Sequence, residues 1–210
     1  MKLYHFSKSS ASLRLRIALA VKGVRYGSSS VSLALREHLS SEYGKLHPQN
    51  LVPALEDDAG TIMIQSLPII EYLDEVFPEP ALLPAGPGER SYVRAIAQIV
   101  ACEIHPLNNM RVTKHLRDVL HVTPEVIERD WTFHWLTTGF HSLETYLTRE
   151  RRYGRFCAGE QFTLADICLY AQVFSARRFG FSIEAYKCVE AIAEQCEAVP
   201  EVVLAKSVDG

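Results

Sequence analysis

Between Pro78 and Gly88, six of eleven positions are proline or glycine, in the run Pro78-Glu79-Pro80-Ala81-Leu82-Leu83-Pro84-Ala85-Gly86-Pro87-Gly88. Proline removes a backbone donor and clashes with the preceding turn, and glycine raises the entropy cost of ordering the chain. Neither a long helix nor a central strand tolerates both at this density, so the run divides the chain into two segments with different grammars.

Before it, short apolar runs alternate with helical periodicity. Leu3-Tyr4-His5-Phe6 reads as a strand, and Ser10 to Val21 as a helix with Leu13, Ile17, Ala20 and Val21 on one face and Gly23 as its stop. Tyr26 to Leu33 reads as a weaker strand and Arg36 to Leu46 as a polar, irregular helix. Val52 to Glu56 and Thr61 to Ile64 flank Asp57-Asp58-Ala59-Gly60, a hairpin signal. Ser66 then caps a helix that buries Ile69, Ile70, Leu73 and Phe77. The order β-α-β-α-β-β-α predicts a small α/β domain over 1–80. Residues 81–88 form the expected linker, and 89–210 an all-helical bundle. Its helices are expected at Arg90 to Val119 with a break at Pro106, Pro124 to Leu147, Thr163 to Phe174 and Glu184 to Cys196. Thr163-Leu164-Ala165-Asp166 is a capping box with a structural role.

With 48% hydrophobic and 22% charged residues, the chain can bury a sizeable core. A formal charge of -3 gives no support to nucleic-acid binding. No run of ~18 apolar residues predicts a membrane span. Met1-Lys2-Leu3-Tyr4 leads directly into an expected strand, so no signal peptide is expected. The five cysteines are odd in number and lack a C-x-x-C, which speaks against a disulfide framework or a metal site and for a reducing cytoplasm.

Three places suggest chemistry. Lys8, Ser9 and Ser10 stand where the first strand ends and the first helix begins, the edge at which open α/β sheets bind ligands. A hydroxyl there can donate to a thiolate, and the helix N-terminus favours the negative charge. Val52-Pro53, just before the hairpin, matches the cis-proline of the thioredoxin-like fold, which offers the backbone of the preceding residue to a peptide-like ligand. Gln65-Ser66 at a helix start offers free N–H groups, a hydroxyl and an amide to a carboxylate.

Together these features resemble the glutathione transferase superfamily over essentially the whole chain, and within it the zeta class. That class carries a motif S-S-C-x-W-R-V-R-I-A-L, which reads here Ser9-Ser10-Ala11-Ser12-Leu13-Arg14-Leu15-Arg16-Ile17-Ala18-Leu19. Asn50-Leu51-Val52-Pro53-Ala54-Leu55, Gln65-Ser66-x-x-Ile69-Ile70-Glu71-Tyr72-Leu73, Ile104-His105-Pro106-Leu107-Asn108-Asn109 and Ser175-Ala176-Arg177-Arg178-Phe179 are further matches. The family's cysteine is Ala11 here, its tryptophan is Leu13, and Lys8 stands where the family often has arginine.

The resemblance implies a thioredoxin-like domain that binds glutathione and a helical domain that binds substrate. It implies a cytoplasmic homodimer in aromatic compound catabolism, with no nucleic-acid or membrane partner. The implied reaction is glutathione-dependent cis–trans isomerisation of a maleyl diacid, maleylpyruvate or maleylacetoacetate. The alternatives are conjugation of glutathione to small electrophiles and a non-catalytic glutathione-binding module. Ser9 and Ser10 are the expected catalytic hydroxyls. His38, Val52, Pro53, Gln65, Ser66, Asn108 and Asn109 join them in holding glutathione, and Lys8, His105, Arg111 and Arg177 are expected to hold the dianionic substrate. Tyr4 is a weaker candidate thiol donor because it lies inside the strand, Gln49 reads as a loop residue and Arg14 as structural.

Overall fold

The computed structural model describes residues 1–207. Its first unit comprises Met1–Leu83 and the described part of the segment that begins at Glu197. A four-stranded sheet runs in the order β2-β1-β3-β4, from β1 (Lys2–His5), β2 (Gly27–Ser30), β3 (Ala54–Glu56) and β4 (Ile62–Ile64). β1 pairs with β2 in parallel, and the antiparallel pairs β1–β3 and β3–β4 align Tyr4 with Ala54 and Ala54 with Ile64. The expected β-α-β-α-β-β-α order is therefore present. The hairpin closes as its residues dictate: Asp57 Oδ1 accepts from Ala59 N and Thr61 N at 2.9 and 2.8 Å, and Gly60 adopts φ +84°.

Helix α1 (Ser10–Val21) starts where Ser9, in extended conformation, accepts from Ser12 N at 3.2 Å, and stops before Gly23 at φ +63°. Its spacing predicts a helix with one apolar face. Instead Ser10 through Leu19 are all buried, Arg14 and Arg16 included, because α3 (Ser66–Val76) and α10 (Pro200–Lys206) also pack on it. Helix α10 was not expected. It belongs with the sheet unit, not with the helical domain predicted over 89–210, and residues 208–210 of that domain lie outside the described residues. Arg14 Nη1 donates to Ser66 Oγ and Lys22 Nζ to Asp74 Oδ1, and both pairs span 52 residues. α1 and α3 therefore run parallel and in step, with their N-termini at the same end of the sheet.

The irregular helix expected at 36–46 is a 3-10 turn (Glu37–Leu39) followed by α2 (Ser41–Leu46). The expected linker is consumed from both sides: Leu82 and Leu83 are buried, and Pro87 and Gly88 open α4 (Pro87–Gln98).

The second unit, Pro84–Cys196, is helical. After α4 come a π segment (Ile99–Ile104), α5 (Met110–Asp118), α6 (Pro124–Val126), a second π segment (Ile127–Thr132), α7 (Phe133–Glu150), α8 (Leu164–Arg178) and α9 (Lys187–Glu197). The predicted capping box forms. Asp166 Oδ2 accepts from Thr163 N and Oγ1 at 2.8 and 2.9 Å, and Oδ1 accepts from Cys157 N at 2.7 Å. Burial pushes the Asp166 carboxyl up, against the pull of those donors.

Gly139 of α7 lies against the first π segment, where a Cβ would overlap the Ile104 side chain. Overpacking costs about 1–3 kcal/mol, and alanine returns up to about 1 kcal/mol of helix propensity. Gly139→Ala is therefore expected to lower unfolding stability by about 1–2 kcal/mol, measured by urea denaturation. An unchanged midpoint would mean that Ile104 turns aside without strain.

Candidate active site

The sheet register gathers the expected ligand-binding residues of the first unit. Continuing the β1–β3 alignment places Pro53 opposite His5 and Val52 opposite Phe6, and continuing β3–β4 places Ser66 opposite Val52. The Phe6–Ser9 turn, the Val52–Pro53 step and the start of α3 thus meet at one end of the sheet. The Val52–Pro53 bond is cis, as expected. Leu51 before it is anchored by Tyr43 Oη, which donates to the Leu51 carbonyl at 2.7 Å.

The two serines are not equivalent. Ser9 Oγ accepts from Ser12 N, a bond that does not use its hydroxyl proton, and the side chain is half-buried. Ser10 is 5% exposed and sits inside α1. Ser12, fully buried, ties the turn by accepting from Phe6 N at 3.3 Å. Tyr4 Oη donates to Glu56 Oε2 at 2.8 Å, so the phenol is committed within the sheet, consistent with its lower rank as a thiol donor.

At α3, Gln65 rather than Ser66 occupies the N-cap position, with φ +71°, and Ser66 is the first helical residue. The first-turn amides of α3 have no intrahelical acceptors, as at any helix start. Two residues add to this end of α3 beyond what the motifs promised. Gln49, expected as a plain loop residue, accepts from Gln65 Nε2 at 2.6 Å. Arg14, expected as structural, is buried and reaches Ser66 Oγ at 3.4 Å, so a guanidinium stands behind a helix N-terminus. Both features favour an anion there. The signal for Arg14 was present in the alternation Leu13-Arg14-Leu15-Arg16, which places charge on a helix too apolar to be a surface helix.

His38 lies on the 3-10 turn with a buried Nδ1 that has no hydrogen-bond partner among the described residues, and burial together with Arg36 holds its pKa below the ordinary value. Asn50, at φ +54°, has a buried Oδ1 in the same condition. Lys8 is exposed beside the Ser9 turn.

In the second unit His105 closes the first π segment, donating its N–H to Val100 O at 2.9 Å. The turn that follows is held by Trp131 Nε1, which donates to Leu107 O at 2.7 Å. Asn108 donates to Ile104 O at 3.4 Å and keeps a buried Oδ1 with no hydrogen-bond partner among the described residues, a place for an N–H donor. Asn109 has a structural part whatever it does for a ligand. It caps α5, its Oδ1 accepting from Arg111 N at 3.0 Å. Arg111 is exposed in the first turn of α5, and Arg177 is exposed in the last turn of α8, where a cation also suits the helix dipole. Where the family motif has cysteine and tryptophan, Ala11 and Leu13 are buried and serve the core.

A fold of this order, with a serine-capped α1, a cis-proline before the hairpin and an open helix start beside both, defines a glutathione transferase. Residues 3–81 match the family described as Glutathione S-transferase, N-terminal domain. The chain is 44% identical to maleylpyruvate isomerase of Ralstonia sp over 93% of its own length and 92% of that protein. It superposes with TM-score 0.93, at 43% identity, on a holo structure of maleyl pyruvate isomerase, a bacterial glutathione transferase of the zeta class, covering 98% and 96% of the two chains. A maleylacetoacetate isomerase from Methylobacterium extorquens AM1 with bound malonate and glutathione gives TM-score 0.96 at 34% identity over 100% and 98% of the chains. The chain belongs to the zeta class of the glutathione transferase superfamily.

Proposed function

We propose that this protein is a glutathione-dependent isomerase that converts the cis double bond of a maleyl diacid, maleylpyruvate or maleylacetoacetate, to the trans, fumaryl form. The observation that carries the reading is the convergence of Ser9, cis Val52–Pro53 and the N-terminus of α3 at one end of the sheet. The residues present fit glutathione. Val52 offers a strand-like backbone edge, the α3 amides with Ser66 and Gln65 suit a carboxylate, and Asn50 Oδ1, Asn108 Oδ1 and His38 Nδ1, buried and without hydrogen-bond partners among the described residues, can each take a polar group. One solved relative carries bound glutathione together with malonate, a small dicarboxylate.

Bound glutathione supplies a thiolate that adds to and leaves the double bond, so it is regenerated. Ser9 donates its hydroxyl to the sulfur and favours the ionised form, by about 1.5–3 kcal/mol for a charge-assisted bond. The N-terminus of α1 contributes a further ~0.3–1 kcal/mol in the same direction. Lys8, Arg111 and Arg177 are the exposed cations we assign to the two substrate carboxylates, and His105 orients the substrate. Ser10, the second hydroxyl of the pair, is buried at the start of α1. We assign the protein to the cytoplasm as a homodimer that serves aromatic catabolism. No described helix is long and apolar enough to cross a membrane.

The test is turnover of maleylpyruvate and maleylacetoacetate with glutathione far below substrate concentration. Many turnovers per glutathione, with the thiol recovered, is the expected result. Stoichiometric loss of glutathione would instead identify a conjugating transferase, and binding without turnover a non-catalytic module.

A further inference from the structure

We propose that Arg16 is a positioning residue for the Phe6–Ser9 turn, and that through it the C-terminal helix α10 sets how the Ser9 hydroxyl is presented. The proposal rests on the assignment of Ser9 made above. Arg16 lies on α1 and is 1% exposed. Its guanidinium spreads to three elements: Nε donates to Ala205 O of α10 at 3.0 Å, Nη2 to Ser7 O at 3.1 Å, and Nη1 to His5 Nδ1 at 3.3 Å. The fork is planar and rigid, so these three directions are fixed relative to one another.

Each contact has a structural consequence. Because a guanidinium cannot accept, His5 presents the lone pair of Nδ1 to it, and Nε2 carries the ring proton toward Ser28 Oγ at 2.8 Å. That joins β1 to β2 at the strand end from which the turn departs. Ser7 sits two residues before Ser9, within a turn otherwise held by Ser9 N donating to Phe6 O at 3.0 Å and Phe6 N donating to Ser12 Oγ at 3.3 Å. The Ala205 carbonyl belongs to the last turn of α10, the negative end of the helix dipole. A buried cation is therefore favoured there, and the side chain that satisfies this carbonyl is also the one that holds Ser7. Val202 and Ala205 are buried on α10, which packs on α1, so a displacement of α10 moves an acceptor of the guanidinium. The 189-residue separation of Arg16 from Ala205 makes this a link between the far C-terminal segment and the thiol site.

Three full-length variants test it: Arg16→Met, Arg16→Lys and Val202→Ala. The first readout is amide hydrogen exchange in ligand-free protein. Arg16→Met is expected to accelerate exchange of the Ser9 and Ser12 amides by about tenfold or more while the β3–β4 amides hold their rates, which separates a loosened turn from global instability. The second readout is the ultraviolet absorbance of glutathione thiolate on the protein, titrated with pH. Its midpoint is expected to move up by about one unit, with kcat near neutral pH falling about tenfold and KM for glutathione changing less than twofold. Arg16→Lys keeps the charge without the fork and should fall between. Val202→Ala leaves Arg16 and the turn residues themselves unaltered and should move both readouts in the same direction, by less. A folded Arg16→Met protein with unchanged exchange in the turn would overturn the proposal. Faster exchange in α10 of Val202→Ala with an unchanged turn would overturn the coupling to α10. If Arg16→Met does not fold, the other two variants decide the matter. A wild-type protein that binds glutathione without a thiolate band would refute the role of Ser9, and the exchange measurements would still judge Arg16.

Discussion

Replacing Ser9 by alanine is expected to lower kcat/KM for isomerisation by about 10- to 150-fold at neutral pH, the loss of a charge-assisted hydroxyl bond of about 1.5–3 kcal/mol. The deficit should shrink as pH rises, because alkali ionises the thiol without help. Glutathione binding should persist, since Val52, Gln65 and Ser66 are untouched. The same serine caps α1 by accepting from Ser12 N at 3.2 Å, so Ser9→Ala should also cost about 1 kcal/mol of stability. Ser9→Gly separates the two effects. Glycine is nearly as good a cap as serine, so stability should stay within a few tenths of a kcal/mol while activity falls as far as in the alanine variant. Ser10→Ala should have the smaller effect on turnover, because that side chain is buried inside α1. Undiminished kcat/KM in both Ser9 variants would remove Ser9 from the mechanism.

The second large effect lies away from the thiol. Lys22→Met is expected to cost about 3–5 kcal/mol of unfolding free energy, read by denaturant titration. The Lys22 ammonium donates to Asp74 Oδ1, Phe77 O and Pro80 O, each at 2.6 Å, and its side chain is fully buried. Asp74 also accepts from Leu82 N and Leu83 N at 2.7 and 3.1 Å. Methionine would leave a nearly buried carboxylate without its cation and two carbonyls without a donor. The double variant Lys22→Met with Asp74→Asn should recover part of the loss, because the uncompensated charge is then gone. A loss below about 1 kcal/mol in the single variant would show that the pair is solvated enough to act as a surface ion pair. The pair also bears on function. It fastens α1 to α3 eight residues, about 12 Å, beyond the Arg14–Ser66 contact, and so holds in step the two helices whose N-termini carry Ser9 and Ser66.

Several features of the protein were legible in short stretches of chain because their causes are local. Asp57-Asp58-Ala59-Gly60 closes its hairpin through bonds spanning two to four residues, and the Thr163–Asp166 box closes over three. The Pro78–Gly88 run ends one grammar and begins another, and Ser9 caps α1 through a neighbour three positions on. These stretches also carried the zeta-class resemblance, and with it the expectation of glutathione chemistry. The π segments at Ile99–Ile104 and Ile127–Thr132 were not legible, because nothing in helical periodicity distinguishes one extra residue per turn.

By itself, then, the sequence determined the order of elements, their caps and turns, and the family of motifs at the strand ends. Only the tertiary structure decided which charges are buried and what they hold. Arg14 and Arg16 lie on a helix that looked one-sided and Lys22 caps its end, and among their partners are Ser66 and Asp74 on α3, 52 residues away, and Ala205 on α10, 189 residues away. The physical reason is range. A cap or turn is settled by bonds within one or two turns of chain, whereas a buried guanidinium is tolerable only once distant carbonyls and hydroxyls have been folded around it.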